Sequence, residues 1–353
     1  VLLFTPIITF QIEMAVFRNL IECRENINEK RKVISTSVFI IIQNIFVTSI
    51  LYFLFGLYFK IDFKLYIFFY TSMTIIINYL LQISRGFGDN IGFSIGSLVS
   101  GIINLILNVI FLYFLDIKIE GLFISSIIAN TISSLYLIVH LKLWKYFRFT
   151  ENNKNKKKEL LGYSIPLIPN GLIWWVISVS DRTIISLIIG ASANGIYAVA
   201  NKFSSILIQI YNIFNLSWTE SVSLHINDND DYISDTLTSI IKLFSSICII
   251  IICVLPFIYD ILIGKEFLES YMYIPWLLIG MLCDVFVSFL GSIYIALKLT
   301  KKLAYTSMIS GIINITFNLI FIKYIGIYAA VFSTIIAFFV MALYRYYEIR
   351  KYV

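Results

Sequence analysis

Charge is what this chain has least of. Asp, Glu, Lys and Arg make up 14% of its 353 residues, whereas ordinary soluble domains carry roughly 25%. So few charges cannot clothe a water-facing surface. The polar gaps between its apolar runs are also short, so no soluble catalytic domain can sit in them. Cysteine is confined to Cys23, Cys248, Cys253 and Cys283. No two form a C-x-x-C pair, and three lie in apolar runs where a thiol acts as a small hydrophobe. This pattern predicts neither a disulfide nor a metal site. The two histidines, His140 and His225, are too isolated for a ligand set or a catalytic triad.

Apolar sequence fills the space. Hydrophobic residues reach 59% and mean hydropathy is +0.88. The runs approach the ~20 residues that cross a bilayer as a helix at ~1.5 Å each. Eleven are expected, at 1–17, 33–59, 65–84, 91–115, 121–141, 160–190, 195–217, 239–262, 270–297, 303–322 and 326–344. The chain therefore reads as an all-α polytopic membrane protein. Its net charge of +6 does not point to nucleic acid, because the bases sit in the loops and no soluble face presents them. Membrane lipid headgroups are their expected neighbours. Nineteen Lys and Arg fall in loops on one side, counting Arg345 in the tail, against five on the other, with three in or beside spans. The positive-inside rule then predicts a multi-pass cytoplasmic (inner or plasma) membrane protein with a cytoplasmic C-terminus.

An internal repeat organises the spans. SGIINLILNVIF at Ser100–Phe111 returns as SGIINITFNLIF at Ser310–Phe321, pairing Asn104 with Asn314 and Asn108 with Asn318. Two residues fewer downstream, SSIIA at Ser125–Ala129 pairs with STIIA at Ser333–Ala337. The repeat unit is six spans. An even unit predicts two parallel, pseudo-symmetric six-helix bundles. The expectation is eleven spans of a twelve-helix parent whose first helix is missing. Residues 1–144 would form an N-lobe of five spans, 145–159 a cytoplasmic linker and 160–353 a C-lobe of six.

The stretch LLGYSIPLIPNGLIWWVISVSDRTIISLIIG, Leu160 to Gly190, concentrates the candidate chemistry. Pro166 and Pro169 permit a bend, and adjacent Asp181 and Arg182 stand in an apolar run where charge is costly and usually functional. With Lys202 in the next span, Arg182 suits a phosphate, Asp181 serving as counter-ion or proton carrier. The alternative is an Asp181–Lys202 ion pair with Arg182 snorkelling to the interface. Asp284, mid-span, could exchange a proton or bond a neighbouring helix. Glu13 and Arg18 close the first span and Arg85 the third. They are read either as the mouth of a cavity or as ordinary positive-inside anchors. Asn170, Trp174 and Trp175 could bond and stack on a sugar, or serve interhelical contacts.

Enzyme signatures fail. Gly264–Lys265 lacks the flanking residues of a phosphate-binding loop. Gly86, Gly88 and Gly92 have the wrong spacing and no preceding strand for a dinucleotide fold. The acidic run at 227–231 reads as a solvated loop.

The stretches IEMAVFRN (Ile12–Asn19), SIPLIPNGLIWWVISVSDRTIIS (Ser164–Ser186), GIYAVANKF (Gly195–Phe203) and the SGIIN repeat carry a family resemblance. The chain resembles the lipid-linked oligosaccharide flippases of polysaccharide biosynthesis, within the multidrug/oligosaccharidyl-lipid/polysaccharide exporter superfamily. The resemblance implies a non-enzymatic transporter without a cofactor. Its partner would be a polyprenyl-(pyro)phosphate-linked oligosaccharide, with glycosyltransferases and a polymerase of the same pathway alongside. It points to Asp181, Arg182, Lys202 and Arg18 as site residues. At Glu13 an aspartate is commoner in the family. A multidrug exporter of the same superfamily and a membrane glycan polymerase or glycosyltransferase are the alternatives.

Overall fold

A computed structural model describes residues 3–59, 62–148, 153–226 and 231–352. Among the described residues there are helices and no strands, as expected of backbone that must satisfy its own hydrogen bonds in hydrocarbon. In chain order the α-helices are α1 (Thr5–Thr9), α2 (Ile12–Glu22), α3 (Ile27–Tyr58), α4 (Lys64–Gly86), α5 (Asn90–Val109), α6 (Ile119–His140) and α7 (Lys154–Ser164). They continue with α8 (Leu167–Ile188), α9 (Ala191–His225), α10 (Tyr232–Leu262), α11 (Ile274–Ala296), α12 (Thr300–Ile325) and α13 (Ile327–Ile349).

Nine helical stretches among the described residues are long and apolar enough to span a membrane. The other two expected spans differ for identifiable reasons. The first is broken at Phe10 and Gln11, both with φ of 54°, which splits it into α1 and α2. The other, α9, is a 35-residue helix whose lysine, amide and hydroxyl residues keep its hydropathy low.

The chain divides into two compact units, Val1–Ile168 and Pro169–Val353. The dividing line falls between Pro166 and Pro169. In the first unit α2 and α6 pack on α4, and α5 on α6. Residues 154–159 of the expected linker are helical, as the first part of α7. Asn153 Oδ1 caps them, accepting from the backbone N–H of Asn155 and Lys156, and Lys156 Nζ donates to Asn19 Oδ1 at 3.0 Å. Residues 149–152 lie outside the described residues, as do 227–230 of the acidic run.

In the second unit α11 is the central helix, packed on α9 and α13, with α12 against α13. A Trp174, Ile177, Val287, Phe338 and Met341 cluster joins α8 to this core. Gly311 of α12 makes the approach possible, since a Cβ there would come 2.8 Å from Ile173 Cδ1. The two-residue difference in the repeat is also accounted for. After α5 the chain makes a wide π-helical turn at Ile110–Phe114 before α6, whereas α12 passes to α13 through Gly326 alone, at φ 59°.

Candidate functional site

Successive residues of a helix point ~100° apart, and α8 uses that angle to separate its charges. Asp181 turns inward and is buried, while Arg182 is exposed. The Asp181 carboxylate accepts from Tyr197 of α9 (Oη to Oδ2, 3.0 Å), Asn318 of α12 (Nδ2 to Oδ1, 2.9 Å) and Thr334 of α13 (Oγ1 to Oδ2, 3.0 Å). A second layer supports these donors. Asn314 Nδ2 donates to Ser333 Oγ at 3.1 Å, and Ser180 Oγ donates to Asn314 Oδ1 at 3.3 Å. The expected alternative of an Asp181–Lys202 ion pair is not formed, because Asp181 faces the α12–α13 side and Lys202 is exposed on α9.

Arg182 lies on an exposed α8 face with Ser178 and Ser186, one turn away on either side, and with half-buried Trp175 beyond Ser178. Lys202 heads a matching stripe on α9, followed by Ser205, Gln209 and Asn212 at spacings of three and four. Gln209 Nε2 donates to Ser205 Oγ at 3.4 Å. Charge within a span is costly against lipid and usually faces a partner or a wet cavity, so cationic and amide stripes on two consecutive helices suit a water-accessible wall. Such a wall can neutralise an anion and hydrogen-bond hydroxyls.

The other C-terminal candidates are committed to packing. Trp174 packs on Phe338 with ring centroids 5.5 Å apart. Asn170 Oδ1 accepts from Ser307 Oγ at 2.6 Å. Asp284 is buried, accepting from Ser288 Oγ at 3.1 Å.

Arg345 corrects the sequence reading that placed it among the cytoplasmic tail bases. It is part of α13 and only 1% exposed. Its guanidinium donates to Thr306 Oγ1 (3.0 Å), the Val287 carbonyl (2.8 Å) and Ser307 Oγ (2.9 Å), thereby tying α13 to α11 and α12.

In the first unit Arg18 and Arg85 are both 5% exposed, so neither is a solvated anchor. Arg18 pairs with Glu22 at 3.1 Å. Arg85 lies over the Phe17 ring at 4.4 Å and donates to Gln82 Oε1 at 3.0 Å. Arg24 donates to the Arg85 and Gly86 carbonyls, capping the end of α4. Glu13 accepts from Thr9 Oγ1 at 3.3 Å beside the α1–α2 break, and its other carboxylate oxygen is buried without a partner. An apolar cavity of about 600 Å³ opens among α1, α3 and α4, lined by residues such as Phe4, Tyr52, Phe55, Phe68 and Ile75. The hydroxyls of Thr48 and Thr71 at its wall are turned back to their own helices, so it suits hydrocarbon and not phosphate.

The family described as polysaccharide biosynthesis protein matches residues 1–219. No curated protein matches the sequence. Among solved structures, an outward-facing multidrug resistance MATE family transporter of the MOP superfamily shares 14% identity at a TM-score of 0.81, covering 99% of this chain and 85% of its own. The MATE transporter ClbM in complex with Rb⁺ aligns at TM-score 0.78 and 14% identity, over 98% of this chain and 83% of its own. A MOP superfamily transporter from Pyrococcus furiosus, for which a reversed polarity of the binding pocket suggests a different function, aligns at 0.77 and 13%, over 98% and 86%. At such identities the likeness is one of fold.

Proposed function

The chain belongs to the polysaccharide biosynthesis protein family, and from that premise we propose that it is a flippase without enzymatic activity. Its cargo is a polyprenyl-(pyro)phosphate-linked oligosaccharide, moved from the cytoplasmic to the outer leaflet for cell-surface polysaccharide synthesis. The physical problem is to take a polar glycan and an anionic phosphate through ~30 Å of hydrocarbon. The exposed stripes of α8 and α9 are the observation that carries the reading. Arg182 and Lys202 offset the phosphate charge, while Ser178, Ser205, Gln209 and Asn212 hydrogen-bond sugar hydroxyls. Alternating access, in which bundles rock and expose the wall to each side in turn, provides the movement. Glycosyltransferases supply the lipid-linked substrate and a polymerase consumes it. The C-terminus is assigned to the cytoplasm and the chain to the inner or plasma membrane by the loop bases.

The fold likeness to MATE transporters favours a second reading, a multidrug exporter. Cationic drugs call for an acidic wall, and the α8 and α9 stripes carry bases instead. Proteoliposomes holding the complete protein discriminate the two. The flippase reading expects translocation of a fluorescent polyprenyl-pyrophosphate oligosaccharide and no efflux of cationic dyes. Dye efflux without glycan translocation would reverse the assignment.

A further inference from the structure

The apolar cavity of the first unit has the length and the charge placement of a lipid site. It encloses about 600 Å³ among α1, α3 and α4, within the ~300–1,000 Å³ usual for ligand pockets. Its α3 wall runs from Ile45 to Phe55 and its α4 wall from Ile67 to Ile75. At ~1.5 Å per residue these walls are ~15 and ~12 Å long. A hydrocarbon core is ~30 Å thick, so the slot is about one leaflet deep and runs along the helices. It is apolar throughout that depth. The hydroxyls of Thr48, Ser49 and Thr71 donate to carbonyls of their own helices and offer a ligand no polar partner.

Charge stands at one end only. Tyr52 lines the slot, and its Oη donates to the Lys64 carbonyl at 3.1 Å. That bond sets Lys64, the first residue of α4, beside the end of the slot nearest the membrane surface. The Lys64 ammonium lies 5.2 Å from the Phe53 ring centroid and 3.5 Å from the Phe53 carbonyl oxygen. Gly56 has no side chain to obstruct it, and among the described residues it forms no ion pair. A half-buried ammonium with neutral neighbours, at the mouth of a hydrocarbon slot one leaflet deep, matches a ligand with an anionic head and one apolar tail beneath it. A phospholipid has that anatomy. A polyprenyl tail is much longer than the slot and overruns it.

We propose that α1, α3 and α4 bind one phospholipid, with an acyl chain in the slot and its phosphate paired with Lys64. The occupant also accounts for how α1 is held. α1 has five residues and is followed by left-handed Phe10 and Gln11, whereas isolated helices shorter than ~12–15 residues are marginal. Phe4, Ile7 and Ile8 of α1 face the slot, so a chain within it supplies the apolar partner that this short helix needs. The bound lipid is a structural part of the first unit and is distinct from the cargo.

The test uses the purified full chain, delipidated in detergent, and phosphatidylglycerol with a photoreactive group in one acyl chain. Cross-links are expected within residues 45–55 and 67–75. Unlabelled phosphatidylglycerol should compete better than diacylglycerol, which lacks the phosphate, and better than polyprenyl phosphate. Lys64→Gln is expected to weaken binding about fivefold, the contribution of one surface lysine to an anionic headgroup, and Lys64→Arg to retain it. Thr71→Phe fills the slot and is expected to lower labelling about tenfold or more. Thr48→Phe repeats this from the α3 wall should Thr71→Phe fail to fold. Added phosphatidylglycerol should raise the unfolding temperature of wild type more than that of Thr71→Phe. Labelling confined to other segments, or equal labelling in wild type, Thr71→Phe and Thr48→Phe, would overturn the proposal. So would stronger competition by polyprenyl phosphate, or equal competition by diacylglycerol. A chain that binds phospholipid here but translocates no glycan would refute the substrate assignment alone.

Discussion

The repeat places the same asparagine pair in both units, yet the surroundings differ. In the first unit Asn104 and Asn108 are half-buried. Ser126 Oγ donates to Asn104 Oδ1 at 3.2 Å, and Ser125 Oγ donates to Asn108 Oδ1 at 2.7 Å. In the second unit Asn314 and Asn318 are fully buried and the bonds converge on Asp181. The difference lies in what covers the helix pair. Gly311 lies under Ile173 of α8, whereas a methyl group added at its counterpart Gly101 would meet nothing within 4 Å. Position Phe338, packed on Trp174, is Asn130 in the first unit, which accepts from Ser100 and donates to Thr74. A repeated sequence thus specifies the helix pair. The covering helix decides whether its amides form a surface ladder or a buried hydrogen-bonded cluster.

That comparison can be broken by substitution, and the largest effect belongs to the buried acid. Asp181→Ala strands three donors, and thermal unfolding of the purified chain is expected to register a loss of ~3–5 kcal/mol. The glycine pair comes next. Gly311→Leu forces α8 off α12 and should cost ~1–3 kcal/mol as overpacking. Gly101→Ala meets open space and should be neutral, or stabilising by up to ~1 kcal/mol through helix propensity. Equal losses at the two glycines, read from melting curves, would erase the proposed asymmetry. Smallest is the amide ladder, where Asn108→Ala is expected to cost ~1 kcal/mol, less than Asn318→Ala. A separate arm concerns activity. Arg182→Ala should leave stability within ~0.5 kcal/mol, because the side chain is exposed, while lowering glycan translocation in proteoliposomes at least tenfold.

Much of this architecture is legible in the sequence because its signals are local. Apolar length marks the spans, the SGIIN repeat marks the related helix pairs, and ~100° per residue already separates Asp181 from Arg182. The rest depends on partners remote in sequence. Thr334 lies 153 residues from the Asp181 carboxylate it bonds, so the neutral ring around that acid has no local signature. Arg345 follows an apolar run, where an arginine reads as an interfacial anchor; only the fold brings Thr306, Ser307 and the Val287 carbonyl to it. Arg18 and Arg85 mislead for the same reason, since their burial depends on the packing of α2 against α4. The break at Phe10–Gln11 also leaves no mark, because neither residue is a customary occupant of the left-handed region.

The central claim is that the outward faces of α8 and α9 border water and meet the substrate. Cysteine accessibility tests it most directly, in a chain whose four native cysteines have been replaced and which sits in sealed proteoliposomes. Ser178→Cys and Gln209→Cys are expected to react with a membrane-impermeant thiol reagent and to be protected by a polyprenyl-pyrophosphate oligosaccharide. Leu187→Cys, on an 80% exposed apolar position of α8, is expected to stay unlabelled. Labelling of Leu187→Cys with none at Ser178→Cys or Gln209→Cys would contradict the account.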